Sequence, residues 1–253
     1  MSKFDSVQQD DGTEGRFSSV CFVGRLGPLV SVVLMNTLLN IFTFGMYRFW
    51  AKTRIRRYFW NHVRIAGDPV EYVGLGKELF IGFLIALAVL VPLISLYQII
   101  LVLLLGLPEW VQSIWSLIYA VLIFSLIQVA IFRMFRYRLT RTIWRGIQFG
   151  LDGSTMRFVL LALGWTGLAI ISLGLAVPWM RVALMRYRIR NARFGSSKFD
   201  FNGSGKALIG IWLINYALLG AVLVSLVTYP PIAILFVVAV LFTFTVFRVR
   251  EFR

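Results

Sequence analysis

Apolar residues run along the chain in six long stretches, at roughly 26–47, 79–105, 110–132, 158–180, 207–229 and 230–247, with the polar residues gathered between them. Each stretch approaches or exceeds the ~20 residues that a helix needs to cross a hydrocarbon core ~30 Å thick. None of their interiors holds Asp, Glu, Lys, Arg or His. The second and third are joined by Gly106-Leu107-Pro108-Glu109-Trp110 and the fifth and sixth by Thr228-Tyr229-Pro230-Pro231. A proline in so short a connection ends one helix and starts the next. The pattern predicts an all-α integral membrane protein of about six apolar helical segments. Residues 1–20 carry Asp5, Asp10, Asp11 and Glu14 and predict a disordered lead, not a cleavable signal peptide.

Charge sharpens the picture. The chain of 253 residues is 59% hydrophobic and only 15% charged, yet its net charge is +15. Of its 26 cations, 23 fall in four clusters, at 48–78, 133–157, 181–206 and 248–253. That is how a multi-spanning inner-membrane protein distributes Lys and Arg, with the basic loops cytoplasmic. Nucleic-acid binding would also explain the positive charge, but it needs a soluble scaffold that this composition does not supply.

The basic segments repeat. At an offset of 129 residues Trp50, Arg57, Tyr58 and Arg64 meet Trp179, Arg186, Tyr187 and Arg193, and Gly74-x-Gly76-Lys77 meets Gly203-x-Gly205-Lys206. The same offset takes Gly24 to Gly153. A third copy is read at an offset of 84, where Arg57, Trp60 and Asp68 meet Arg141, Trp144 and Asp152. The chain divides accordingly into two related membrane halves, 21–150 and 151–253.

Each half holds three apolar stretches, so six full crossings would invert the second half and strand one basic loop outside. In the alternative, segments 1 and 4 are re-entrant, returning to the side they left, and every basic cluster stays cytoplasmic. Asn36 and Asn40 in the first and Gly164-Trp165-Thr166-Gly167 in the second mark candidate breaks.

Taken as a helix, residues 48–62 put Trp50, Arg54, Arg57 and Asn61 on one face. Arginines beside rings at the headgroup level make a candidate pocket for an anionic lipid headgroup. The candidate donors are Arg54, Arg57, Arg64, Lys77, Arg138, Arg141, Arg186, Arg193 and Lys206. Lys77 and Lys206 stand where a helix start favours an anion. Trp50, Tyr58, Trp60, Trp144, Trp179 and Tyr187 are the candidate interfacial anchors. Plain topology competes with this reading, because cations and aromatics flank every membrane helix.

Other chemistry is poorly supplied. The one histidine, His62, lies beside four arginines and reads as structural, leaving no multi-histidine metal site, and the one cysteine, Cys21, rules out an intramolecular disulfide or thiolate cluster. Residues 202–207 resemble a nucleotide-binding loop only superficially, with Asp200 where that loop has Gly and Ala207 where it has Ser or Thr. Asp68 and Asp152 adjoin glycines and read as turn residues. Asn36, Asn40, Gln98, Gln128 and Asn215 suit helix–helix hydrogen bonding better than a permeation path. No cofactor or enzymatic activity is expected.

The stretch Gly45-Met46-Tyr47-Arg48-Phe49-Trp50-Ala51-Lys52-Thr53-Arg54-Ile55-Arg56-Arg57-Tyr58 resembles the hallmark of the bacterial YjgN-like inner-membrane proteins. Arg64, Glu78-Leu79-Phe80, and Phe22-Val23-Gly24 followed by Asn36 continue the likeness. The resemblance implies a bacterial inner-membrane location and a domain of unknown function. Proteins of that family typically run longer, with a further basic repeat after the last hairpin, so this chain is expected to be either a short member or one whose end is missing. The expected function is lipid binding or membrane organisation through the repeated Arg and aromatic segments. The alternative is a small-solute transporter or channel.

Overall fold

A computed structural model describes residues 20–228 together with 240, 241 and 243. The expected lead, nearly all of the sixth apolar stretch and the C-terminal basic cluster lie outside the described residues. Two units make up the chain: residues 1–81 with 142–146, and residues 82–141 with 147–253.

In the first unit β1 (Val20–Phe22) leads into α1 (Leu26–Phe42) and α2 (Arg48–His62), followed by β2 (Val63–Ile65) and β3 (Asp68–Tyr72). Helix α3 (Gly76–Leu103) begins here and continues into the second unit. Strand β4 (Thr142–Trp144) completes the first unit's antiparallel set, in the order β1-β2-β3-β4. Cys21 stands opposite Arg64, Arg64 opposite Pro69, and Tyr72 opposite Thr142. Ala66 and Gly67 both take positive φ, 51° and 86°, as the tight β2–β3 hairpin requires.

The second unit holds α4 (Glu109–Thr140), β5 (Ile147–Leu151), α5 (Thr155–Ile171), α6 (Val177–Arg190), β6 (Ala192–Phe194), β7 (Ser197–Lys198) and α7 (Lys206–Thr228). Strands β5, β6 and β7 pair antiparallel. Its core gathers Phe132, Phe158, Leu151 and Ala192, with Tyr187 packed against it. The Phe132 and Phe158 rings lie 5.0 Å apart and are almost fully buried.

Two departures from an all-α membrane protein follow. Seven antiparallel strands are present among the described residues, and they went unread because each is only two to five residues long and set among arginines. Two further helices, α2 and α6, occupy the basic clusters. Lys, Arg and Met hold a helix well without an apolar stripe, and α2 falls on the span 48–62 tested as a helix above.

The first and fourth apolar stretches break near their ends, at Thr43–Tyr47 and Ser172–Ala176, and not at the asparagines or the Gly164–Gly167 run. The two breaks are built alike. Phe44 and Gly45 take φ of 49° and 84°, and Leu173 and Gly174 take 50° and 90°. The Thr43 and Ser172 hydroxyls each accept the N–H four residues on, from Tyr47 and Ala176, at 3.0 Å. A non-glycine residue in this left-handed region costs roughly 1–2 kcal/mol, so the turn is held by its hydrogen bonds.

Each break folds its stretch into a helical hairpin that returns to paired strands. Val23 N–H donates to His62 O at 2.9 Å where α1–α2 closes, and Asp152 N–H to Asn191 O at 3.0 Å where α5–α6 closes. In the second unit α7 reaches the tip of α5–α6: Trp212 Nε1–H donates to Gly174 O at 3.0 Å and Tyr216 O–H to Leu173 O at 2.7 Å. These side chains lie six and ten residues past Lys206, about 9 and 15 Å along the helix.

Helices α3 and α4 have 28 and 32 residues, and none of the residues in the most apolar window of either is buried inside the protein. At 1.5 Å per residue they are about 42 and 48 Å long, enough to cross a bilayer. Their short connection carries Pro108 at the N-cap of α4, as the sequence pattern predicted.

Asn215 makes the helix–helix bond expected of it, accepting from Thr243 Oγ1 at 2.9 Å. Asn36 does not: it is buried, and neither of its side-chain polar atoms has a partner among the described residues.

Phe132 is the packing centre of the second unit. Phe132→Ala is expected to cost about 3–5 kcal/mol, read as a lower melting midpoint in detergent. Leu103→Ala, at an exposed position, is expected to leave that midpoint unchanged.

Candidate functional site

The recurring feature of the basic segments is a bond from an arginine to a glycine carbonyl. Arg57 Nη2 donates to Gly74 O at 3.4 Å, Arg136 Nη2 to Gly153 O, and Arg186 Nη2 to Gly203 O at 3.0 Å, each across 17 residues. A tyrosine follows each arginine. Tyr58 O–H donates to Arg25 O at 2.5 Å and Tyr187 O–H to Ser154 O at 2.8 Å, each across 33 residues. These bonds tie the end of a basic helix to the starts of its own hairpin and of the next helix.

The third arginine in this set is therefore Arg136, which the offset of 84 passed over in favour of Arg141. The register that brings like geometry together is 79 residues, taking Arg57 to Arg136 and the turn Ala66-Gly67 to Arg145-Gly146, whose φ are 50° and 74°. The signal is legible in the sequence as Arg-Tyr with a glycine 17 residues after the arginine. Asp68 and Asp152 are not counterparts. Asp68 pairs with Arg145 in the first unit, and Asp152 pairs with Arg193 at 3.0 Å in the second.

In the first unit the start of α3 lies against α2. A Cβ on Gly76 would sit 2.8 Å from Trp50 Cα, so only glycine permits this approach. Gly205 and Trp179 stand in the same relation, at 2.7 Å from the ring. Phe80 packs on Phe49 and Trp50, with ring centroids 5.6 and 5.7 Å away. Beside this contact is a cavity of about 230 Å³ lined by Trp50, Thr53, Arg54, Arg57, Leu75, Gly76 and Lys77.

The cavity brings together four of the residues singled out from sequence: Trp50, Arg54, Arg57 and Lys77. Its cations keep their charge open. Arg54 stacks over the Tyr47 ring at 5.7 Å, and Arg57 bonds to a neutral carbonyl. No carboxylate among the described residues is in ion-pair distance of Arg54, Arg57 or Lys77, whereas Arg145, Arg190 and Arg193 are each paired with an aspartate. Glu78 lies next along, with Oε2 accepting the Leu75 N–H at 3.4 Å. The walls are mostly carbon, from the Trp50 ring, Leu75 and the cation stems.

The other sequence candidates are placed elsewhere. Arg64 sits in β2 and Arg193, paired, in β6. Arg138 lies over Phe135 and Arg141, at the C-cap of α4, over Tyr137. Arg186 holds Gly203, and Lys206 opens α7. Of the aromatic anchors, Tyr58 and Tyr187 have their hydroxyls in the bonds above. Trp60 donates to Thr142 Oγ1 at 3.1 Å, and Trp144 lies in β4 under Arg145. Trp179 packs against Gly205. At the other two positions of the pattern the cavity's cation set is incomplete. Ala183 stands where Arg54 would be in the second half, and Met156 where Lys77 would be after α4.

Two long, unburied apolar helices define a helical protein with two candidate membrane spans. Comparison with known proteins narrows the class. The chain belongs to the family described as "Bacterial protein of unknown function (DUF898)", whose profile matches residues 17–252. It is also similar to the inner membrane protein YjgN of Salmonella typhimurium strain LT2, with 26% identity over 139 residues. That match covers 55% of this chain and 32% of the relative, so it spans about a third of the relative's length. No solved structure matches the chain.

Arg136 joins two features, the bond to Gly153 and a stack over Phe132 at 5.2 Å. Arg136→Ala is expected to lower stability by about 2 kcal/mol, and Arg133→Ala, at an exposed position, by much less. Thermal unfolding of the purified variants checks this.

Proposed function

We propose that this chain is a multi-pass protein of the bacterial inner membrane that binds an anionic lipid headgroup in the cavity between α2 and the start of α3. The observation that carries the reading is the group of three cations there, Arg54, Arg57 and Lys77, none of them neutralised by a carboxylate among the described residues. Arg145, Arg190 and Arg193 are answered by aspartates, whereas the three cations gathered round this one cavity are not, and an anion from outside would match them. Trp50 and Phe80 set the level, since the apolar run of α3 begins beside them and aromatics favour the bilayer interface. Similarity to an inner membrane protein supports the location. The recurring Arg–Gly and Tyr bonds support descent from tandem copies of one unit.

In this reading α1–α2 and α5–α6 are re-entrant. Both hairpins close on paired strands, so each leaves and returns on one face. Backbone carbonyls at membrane depth must be sheltered by protein, and Trp212 and Tyr216 do that for Gly174 and Leu173. The strands and the strand-side ends of α2 and α6 then lie on the cytoplasmic face, where Lys and Arg belong.

Native mass spectrometry after gentle extraction is expected to show retained anionic lipid. The double variant Arg54→Ala/Lys77→Ala should lose most of it, and unchanged retention would overturn the headgroup reading. For the topology, Arg138→Cys and Arg188→Cys, each in a Cys21→Ala background, should both resist an impermeant thiol reagent applied to intact spheroplasts. Labelling of only one of them from outside would contradict the re-entrant arrangement.

A further inference from the structure

The cavity's charge sets a narrower condition than "anionic". Arg54, Arg57 and Lys77 contribute three positive charges, and Glu78, the next residue of α3, returns one. The local balance is therefore about +2. Gly76 lines the cavity at the first residue of α3, so the positive end of that helix's dipole adds to it.

Lipid headgroups divide by how they could answer this. A phosphate diester has one negative charge and two terminal oxygens. A phosphate monoester carries close to −2 above its second pKa of ~6, and it has three strong acceptor oxygens. Each guanidinium offers a planar pair of donors, and the ammonium a point charge. A diester would leave one cation unmatched beside carbon walls, where unpaired charge is costly. A monoester matches the charge and supplies one oxygen per cationic head. The carbon walls in turn favour a ligand with an apolar body over free inorganic phosphate.

We infer that the cavity between α2 and α3 selects a lipid phosphate monoester. This rests on the headgroup reading above and narrows its ligand class. Two kinds of lipid carry such a group, a diacylglycerol phosphate and a polyprenyl monophosphate. The shared phosphate is what Arg54, Arg57 and Lys77 recognise; the lipid body lies against Trp50 and Leu75.

The test compares phosphatidic acid with phosphatidylmethanol of the same acyl chains, which differ by one methyl ester and one charge. The full chain is placed in phosphatidylcholine nanodiscs at pH 8, and bound lipid is counted by native mass spectrometry, with polyprenyl monophosphate and inorganic phosphate as further probes. Phosphatidic acid is expected to bind about tenfold more tightly than phosphatidylmethanol, the effect of one added charge-assisted bond. Arg54→Ala or Lys77→Ala should each abolish that preference, and Arg193→Ala, whose arginine is paired with Asp152, should leave it intact. Tighter binding of either monoester supports the inference and tells which lipid body the walls prefer. Equal binding of phosphatidic acid and phosphatidylmethanol, both lost in Arg54→Ala, overturns the monoester inference and leaves the headgroup reading standing. Binding of neither lipid that depends on Arg54 or Lys77 overturns both. Displacement of the lipid by millimolar inorganic phosphate makes the cavity a free-phosphate site and also overturns the inference.

Discussion

Arg57, Arg136 and Arg186 each hand a guanidinium N–H to a glycine carbonyl 17 residues on, and the rest of the architecture depends on that bond. Each bond joins the last turns of one helix to the residues that open the next. A charged donor to a backbone acceptor is among the stronger hydrogen bonds available, and here it stands where helices meet strands and orphan carbonyls would otherwise need water. Glycine at the acceptor side lets the chain pass close. With that junction fixed, the short strands beside it pair.

The junction recurs, but the cation-lined cavity stands at only one of its occurrences among the described residues. Arg57 and Arg186 both hold the next helix start, and Gly76 and Gly205 both admit a tryptophan against it. What differs is the company. Arg54 and Lys77 flank the first junction, while Ala183 replaces the arginine at the second-half counterpart. Around the strands, Asp68, Asp152 and Asp200 answer Arg145, Arg193 and Arg190. Those three arginines beside the strands are neutralised within the fold, whereas Arg54, Arg57 and Lys77 at the cavity have no carboxylate in ion-pair distance among the described residues.

The hairpin tips show a related division. Both are held in left-handed backbone by a hydroxyl one turn back, from Thr43 or Ser172. Among the described residues, the tip of α5–α6 also receives donors from α7, through Trp212 and Tyr216. The corresponding positions of α3 are Phe83 and Leu87, which have no donor to offer.

By itself the sequence determined what depends on local composition. The span-length apolar runs of α3 and α4 follow from counting residues, since length and hydropathy alone decide whether a helix can cross a bilayer. The Pro108 junction and the helix at Arg48–His62 were legible for similarly local reasons, and so was the grouping of Trp50, Arg54 and Arg57 on one helix face. The tertiary structure decided what depends on pairing between distant segments. Strands of two to five residues carry too little alternation to be read, and become strands only because neighbours meet them. Arg136 outranks Arg141 because Gly153 stands within its reach, a fact of geometry that an offset chosen by residue identity passed over. Likewise, Lys77 joined Arg54 and Arg57 in one cavity only when Gly76 let α3 start against Trp50.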